Sequence, residues 1–303
     1  MRLVTRSDFD GLICAILLKE AGIIDSWTYV HPKDLQDGLF TATENDVLAN
    51  VPYVPGCGMW FDHHSSEKER VGWGGSNLKG ESRIAMSAAR IIYEYYGGDA
   101  RFPKYKDMIV CVDKVDSGML DRDEILDPQS WILLGFICDP RTGLGRFRHF
   151  RISNLQLMEE IINYMRNMPI EDILNHPDIK ERIELYNEQT ELFKEMVHER
   201  TTITNNVIVT DLRDMPTIYC GNRFLIYSLY PEQNVSVWIV DGRMKQNVSI
   251  ACGYSILNRT CDVHIGSLML LHGGGGHQQA GTCQVPYEQA NDCIADIVRV
   301  LSQ

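Results

Sequence analysis

In Cys57-Gly58-Met59-Trp60-Phe61-Asp62-His63-His64 an apolar segment ends abruptly in one carboxylate and two imidazoles. A buried strand reads this way when it delivers its last side chains to the mouth of a cleft. In open α/β sheets, ligands gather outside the carboxyl ends of the strands. Neutral imidazole beside carboxylate is a donor set for Mn2+, Fe2+ or Zn2+. A polar turn after a core strand would look the same, so the triplet takes its meaning from the chain around it.

Upstream, Arg2-Leu3-Val4-Thr5 reads as a short strand and the apolar run from Leu12 to Gly22 as a helix closed by glycine. Asp8 and Asp10 then sit at a strand-to-helix turn. Two carboxylates two residues apart converge on a divalent cation, and Gly11 permits close backbone approach. The plainer alternative is that one of them caps the helix. Further strands are expected over 26–30, 39–44 and 108–112, and helices over 32–38 and 82–96. Asp46 follows the strand expected at 39–44, and Asp113 and Asp116 follow the one expected at 108–112. Acidic strand ends on alternating strand and helix patterns converge at one edge of a parallel sheet. So many ionised carboxylates cannot crowd together without cations, and a dinuclear metal site is the natural resolution. Gly72-Trp73-Gly74-Gly75-Ser76 reads as a flexible loop.

The chain has 303 residues, enough for about two domains. Helices over 153–168 and 178–199 read as a spacer, and short strands are expected over 207–210, 224–229, 235–240 and 248–252. The expected architecture is α/β: a parallel-sheet N-terminal domain over 1–175, a helical linker over 176–203, and a smaller α/β domain over 204–303. The net charge of −12 argues against a grip on long duplex, which calls for a basic face. It points to small substrates, with metal ions and a few Arg or Lys supplying positive charge. The nine cysteines include no C-x-x-C pair and read as reduced core residues of a cytoplasmic protein. No apolar run reaches the roughly 18 residues of a membrane span. The acidic approach to Leu12–Leu18 is wrong for a signal peptide. Arg146, in the basic and aromatic stretch 141–151, reads as a phosphate or base contact, or as part of a solvated loop. Near the C-terminus, Gly273-Gly274-Gly275-Gly276-His277 reads as a ligand loop rather than as core packing: glycine allows close approach to an anion and His277 contacts it. Arg259 and His264 are weaker companions.

These residues together resemble the DHH phosphoesterases that carry a C-terminal associated domain, a group of nanoRNases, RecJ-like exonucleases and exopolyphosphatase-like enzymes. The resemblance covers nearly the whole chain. It rests on Ser7-Asp8-Phe9-Asp10-Gly11, Asp46, Asp62-His63-His64, Asp113 with Asp116, and Gly273–Gly281. It implies two Mn2+ ions, with Mg2+, Fe2+ or Co2+ as substitutes. Their ligands would be Asp8, Asp10, a bridging Asp46, His63, and Asp113 or alternatively Asp116. His64 would contact the scissile phosphate and Asp62 would orient a histidine. The glycine-rich loop would bind the rest of the substrate. The implied activity is hydrolysis of short oligonucleotides or linear dinucleotides to mononucleotides by two-metal activation of water. An exopolyphosphatase or nucleotide phosphatase, or a nucleotide sensor with a degenerate site, are the alternatives. A homodimer is compatible with the pattern; a long duplex or a membrane is not expected as a partner. One position departs from the family. Its first motif usually carries a histidine where this chain has Arg6, and a guanidinium cannot ligate a cation. Either one metal site is weakened, a residue such as His31 substitutes, or Arg6 itself grips phosphate.

Overall fold

A computed structural model describes residues 1–64 and 78–303; the loop expected at 72–76 lies outside the described residues. The chain divides into two compact units. One comprises Met1–Leu120 and Pro128–Leu185, the other Asp121–Asp127 and Tyr186–Gln303.

The first unit is built on five strands: β1 (Arg2–Thr5), β2 (Ser26–Tyr29), β3 (Asp46–Ala49), β4 (Met59–Asp62) and β5 (Lys79–Ser82). Their order is β2-β1-β3-β4-β5, and every neighbouring pair is parallel. β3 and β4 are buried along their whole length. They therefore read as continuous apolar runs rather than alternating ones. The strand order reverses between β1 and β3, the place where ligands collect at the carboxyl edge of such sheets.

Around the sheet run α1 (Phe9–Glu20), α2 (Pro32–Gln36), α3 (Ala88–Tyr95), the single turn α4 (Gly98–Arg101) and α5 (Lys106–Ser117). The unit resumes with α7 (Ser130–Cys138), α8 (Asn154–Asn167) and α9 (Ile170–Asn175), whereas α6 (Arg122–Leu126) falls in the second unit. α1 is the central helix. Leu12 through Leu18 are all fully buried, and it packs against α3, α5 and α8. Each leucine or isoleucine among them contributes about 1.5–3 kcal/mol on burial. Gly11 is obligatory in its first turn, because a Cβ there would stand 2.1 Å from the Arg6 carbonyl oxygen.

Four expected elements differ. Residues 39–44 form no strand; β3 begins at Asp46 instead, in the apolar run Asp46-Val47-Leu48-Ala49. Residues 108–112 lie inside α5, whose buried positions Met108, Ile109, Val112 and Val115 follow helical spacing. A helix does not fill 82–96: β5 ends at Ser82 and α3 starts only after Ser87, whose hydroxyl accepts from the Arg90 amide. Ile84 and Tyr95 are exposed, and Tyr93 is buried. Residues 225–229 are helical.

α10 (Pro177–Arg200) carries the chain from the first unit into the second. There β6 (Thr201–Thr204), β7 (Val207–Asp211), β8 (Val235–Asp241), β9 (Val248–Tyr254), β10 (Gly275–Gly276) and β11 (Ala280–Val285) form a mixed sheet in the order β10-β11-β9-β8-β7-β6. Only β7 and β8 are parallel. α11 (Leu225–Leu229), α12 (Ile265–Leu271) and α13 (Tyr287–Leu301) complete it. Its core joins Val235, Val237, Ile239 and Ile250 to Ile297 and Leu301 of α13. All nine cysteines are free and most are buried. Among the described residues no helix is long and apolar enough to cross a membrane.

Candidate metal centre

The carboxyl edge of the parallel sheet is polar. β1 runs out into Arg6 and Asp8, β3 into Asn50, and β4 into Asp62, His63 and His64. Asp10, in the first turn of α1, is fully buried. Its carboxylate accepts the Ala88 amide at 3.0 Å and the Ala89 amide at 2.8 Å. Those are free N–H groups of the first turn of α3, where the helix end favours a negative charge. Burial, followed by the charges of Asp116 and Asp8, still raises the Asp10 carboxyl well above the ordinary carboxylate range.

His63 reaches into the same space. Its Nε2 lies 3.2 Å from Asp116 Oδ2 and 3.8 Å from Asp10 Oδ2. Its Nδ1 is 3.3 Å from the Ala85 carbonyl oxygen. A proton on Nδ1 serves that carbonyl and leaves the Nε2 lone pair available. His63 Nε2 is buried without a hydrogen-bond partner. Asp10, His63 and Asp116 each present a ligand atom, all within 4.8 Å of one another. An orphaned imidazole nitrogen facing two carboxylates fits a divalent cation, whose charge would also relieve the crowding that perturbs Asp10.

The other acids are already answered by the protein. Asp113, expected to ligate, is one turn from Asp116 on α5. It accepts the Ser87 hydroxyl at 2.7 Å and two guanidinium N–H groups of Arg90 at 2.8 and 2.6 Å. It is a buried ion pair rather than an open ligand. Asp62 is fully buried, and its Oδ1 lies 2.8 Å from His64 Nδ1. Burial alone would lower the His64 pKa, but the Asp62 charge and hydrogen bond, with Asp116 behind them, raise it to about 9. Asp8 caps α1 through Gly11, 3.0 Å from its Oδ1. The same oxygen accepts the Asn50 side-chain amide at 3.0 Å, and Arg6 Nε lies 3.1 Å from Oδ2. Arg141 follows α7, is about half exposed, and pairs with Asp139, whose charge, with those of Asp8 and Asp116 beyond it, raises its pKa.

Asp46 is not part of the cluster. It stands at the amino end of β3, in register with Arg2, and its carboxylate is held by Arg2 Nε at 2.8 Å and by the Thr43 amide and hydroxyl. Four residues of strand put it roughly 13 Å from the carboxyl edge. The residue that does arrive at that edge from β3 is Asn50, buried at φ +57°. The uniform run Val47-Leu48-Ala49 was the signal that could have located it. His31 does not replace a ligand: it is exposed, and its Nδ1 accepts the Lys33 amide as the cap of α2.

In the second unit the glycine-rich stretch follows α12. A Cβ on Gly274 would stand 2.0 Å from the Thr282 carbonyl oxygen, and one on Gly276 2.3 Å from that of Ala280. The close approach these glycines permit is to β11 of the same chain, at positions that are half-buried or exposed rather than in the core. Gly275 alone of the three has open space at that point. The His277 carbonyl accepts the Gly266 amide, tying the loop to the start of α12, where His264 is the cap. Arg259 donates to the Ile256 carbonyl. Arg146 is exposed on a turn of the first unit.

No family profile and no curated protein matches the chain. Among solved structures, a pGpG-specific phosphodiesterase from Vibrio cholerae is 46% identical, with 99% of this chain and 98% of that one covered and a TM-score of 0.81. The DHH domain of a protein assigned to a ribosomal-protein family shares the fold at 11% identity and a TM-score of 0.58, covering 100% of this chain and 86% of the other. RecJ from Thermus thermophilus does so at 11% identity and a TM-score of 0.50, covering 99% and 52%.

Proposed function

The chain belongs to the DHH phosphoesterases and is a phosphodiesterase-type hydrolase, and on that premise we propose that it cleaves a short linear dinucleotide of the pGpG kind to mononucleotides. The observation that carries this reading is the Asp10–His63–Asp116 group beside the Asp62–His64 pair at the sheet's carboxyl edge. The substrate class follows from the similarity to the pGpG-specific enzyme along the whole chain. The acidic total of −12 fits a short substrate better than a polymer.

Asp10, His63 and Asp116 would hold the cation, and a mixed oxygen and imidazole set suits Mn2+. Such an ion polarises a phosphoryl oxygen and brings the pKa of water toward neutrality. The chain's own groups do the rest. The first-turn amides of α3 fix the Asp10 carboxylate. Asp62 would orient His64 through its Nδ1, and the imidazole so held could donate to a phosphoryl oxygen or to the leaving oxygen. Arg6 and Arg141 add fixed positive charge next to the acids.

The test is turnover by the purified chain in Mn2+ or Mg2+, with pGpG, pApA, cyclic di-GMP, a five-nucleotide RNA and polyphosphate in parallel. Release of mononucleotide from the linear dinucleotides, and far less from the others, is expected. Binding of pGpG without turnover of any substrate would replace the enzyme with a nucleotide sensor.

A further inference from the structure

The two halves of the acidic cluster are not equivalent. On one side Asp10 and Asp116 have no ion-pair partner but His63 among the described residues, and His63 Nε2 is unpartnered. On the other side Asp8 Oδ1 already accepts two N–H groups, from Gly11 and from Asn50, each at 3.0 Å. A carboxylate oxygen offers two lone pairs, so this one is filled. Its second oxygen is buried and accepts no hydrogen bond, but it is ion-paired with Arg6, whose Nε lies 3.1 Å away. A cation seated on Asp8 would have to displace a guanidinium or lie against it, and Asn50 presents an amide donor there.

We propose that this protein takes up a single divalent cation, at Asp10, His63 and Asp116, and that Arg6, held on Asp8 by the Asn50-buttressed edge, fills the place of a second ion as a permanent charge facing the substrate phosphate. Arg6 suits that part: its side chain is 30% exposed while Asp8 is 6% exposed, so the guanidinium is anchored on one side and open on the other. The inference deepens the function proposed above and rests on its reading of the cluster as a cation site. Metal uptake is measured without substrate, so an absence of turnover would leave it standing.

The experiment is metal counting on the full chain. Protein equilibrated with Mn2+ and desalted is expected to retain about one equivalent, with the spin-resonance signal of an isolated ion. About two equivalents, or the signal of a coupled pair, would overturn the proposal. Asp116→Asn should lose the ion, and retention of it would overturn the assigned ligands. Arg6→His with Asn50→Asp removes the guanidinium and the amide donor and is expected to raise uptake to about two equivalents. Arg6→Lys, which keeps the charge, should stay at about one. The double variant, folded by circular dichroism yet still holding a single ion, would show that Arg6 and Asn50 are not what closes the second position. If it does not fold, the count on the unmodified chain still decides the number of ions.

Discussion

Asp113 and Asp116 stand one turn apart on α5, and only Asp116 faces His63. Asp116→Asn is therefore expected to abolish metal retention, whereas Asp113→Asn should keep it; metal analysis after desalting separates them. Asp113 matters for stability instead. It is buried beside Ser87 and paired with the half-buried Arg90, and removing the cation alone strands a buried charge. Arg90→Ala is expected to cost about 3–5 kcal/mol in denaturant unfolding. Asp62→Asn tests the orienting role of the Asp62–His64 pair. Turnover should fall about 10–100-fold at saturating metal, with metal uptake unchanged. Asp8 and Asp10 were legible because they lie between a short strand and an apolar helix, and Asp62-His63-His64 because it ends an apolar run. The choice between Asp113 and Asp116 was not, because it depends on Arg90, 23 residues from Asp113 in sequence.

At the scale of elements, the strand-then-helix start of the chain was readable from its apolar run and from Gly11. Gly11→Ala pushes a Cβ into the Arg6 carbonyl and the Thr5 hydroxyl. A loss of about 1–3 kcal/mol is expected by chemical denaturation. Ile16→Ala, in the fully buried stretch of the same helix, should cost about 2–5 kcal/mol. The stretches read wrongly share one physical cause. Met108-Ile-Val-Cys-Val112 is apolar at five consecutive positions, and periodicity alone does not tell a buried strand from a packed helix in so short a run. Misplacing β3 by a few residues moved Asp46 to the wrong end of the sheet and hid Asn50. In a parallel sheet the two ends of a strand face different chemistry, so a small boundary error changes a residue's role entirely.

Over the whole molecule, the chain forms two units, and a short internal stretch, Asp121–Asp127, belongs to the unit otherwise made by the second half. Ile125 is buried there, and its carbonyl accepts the Asn222 side-chain amide at 3.0 Å. A fragment covering 186–303 is thus expected to melt at a lower temperature than the same region within the full chain, as followed by circular dichroism. The sequence alone determined the α/β class, the existence of two sheet-forming parts and the polar strand end at Asp62-His63-His64; the phosphoesterase chemistry came with the family its motifs resemble. These are written locally, in hydrophobic runs and in polar residues at fixed spacing from them. Only the tertiary structure decided which acids stay open to a cation and which are already engaged: Asp46 paired with Arg2, Asp113 with Arg90, and Asp8 paired with Arg6 and hydrogen-bonded by Asn50. A carboxylate's availability depends on the partner that folding brings to it, and for Asp8 and Asn50 that partner lies 42 residues away in sequence.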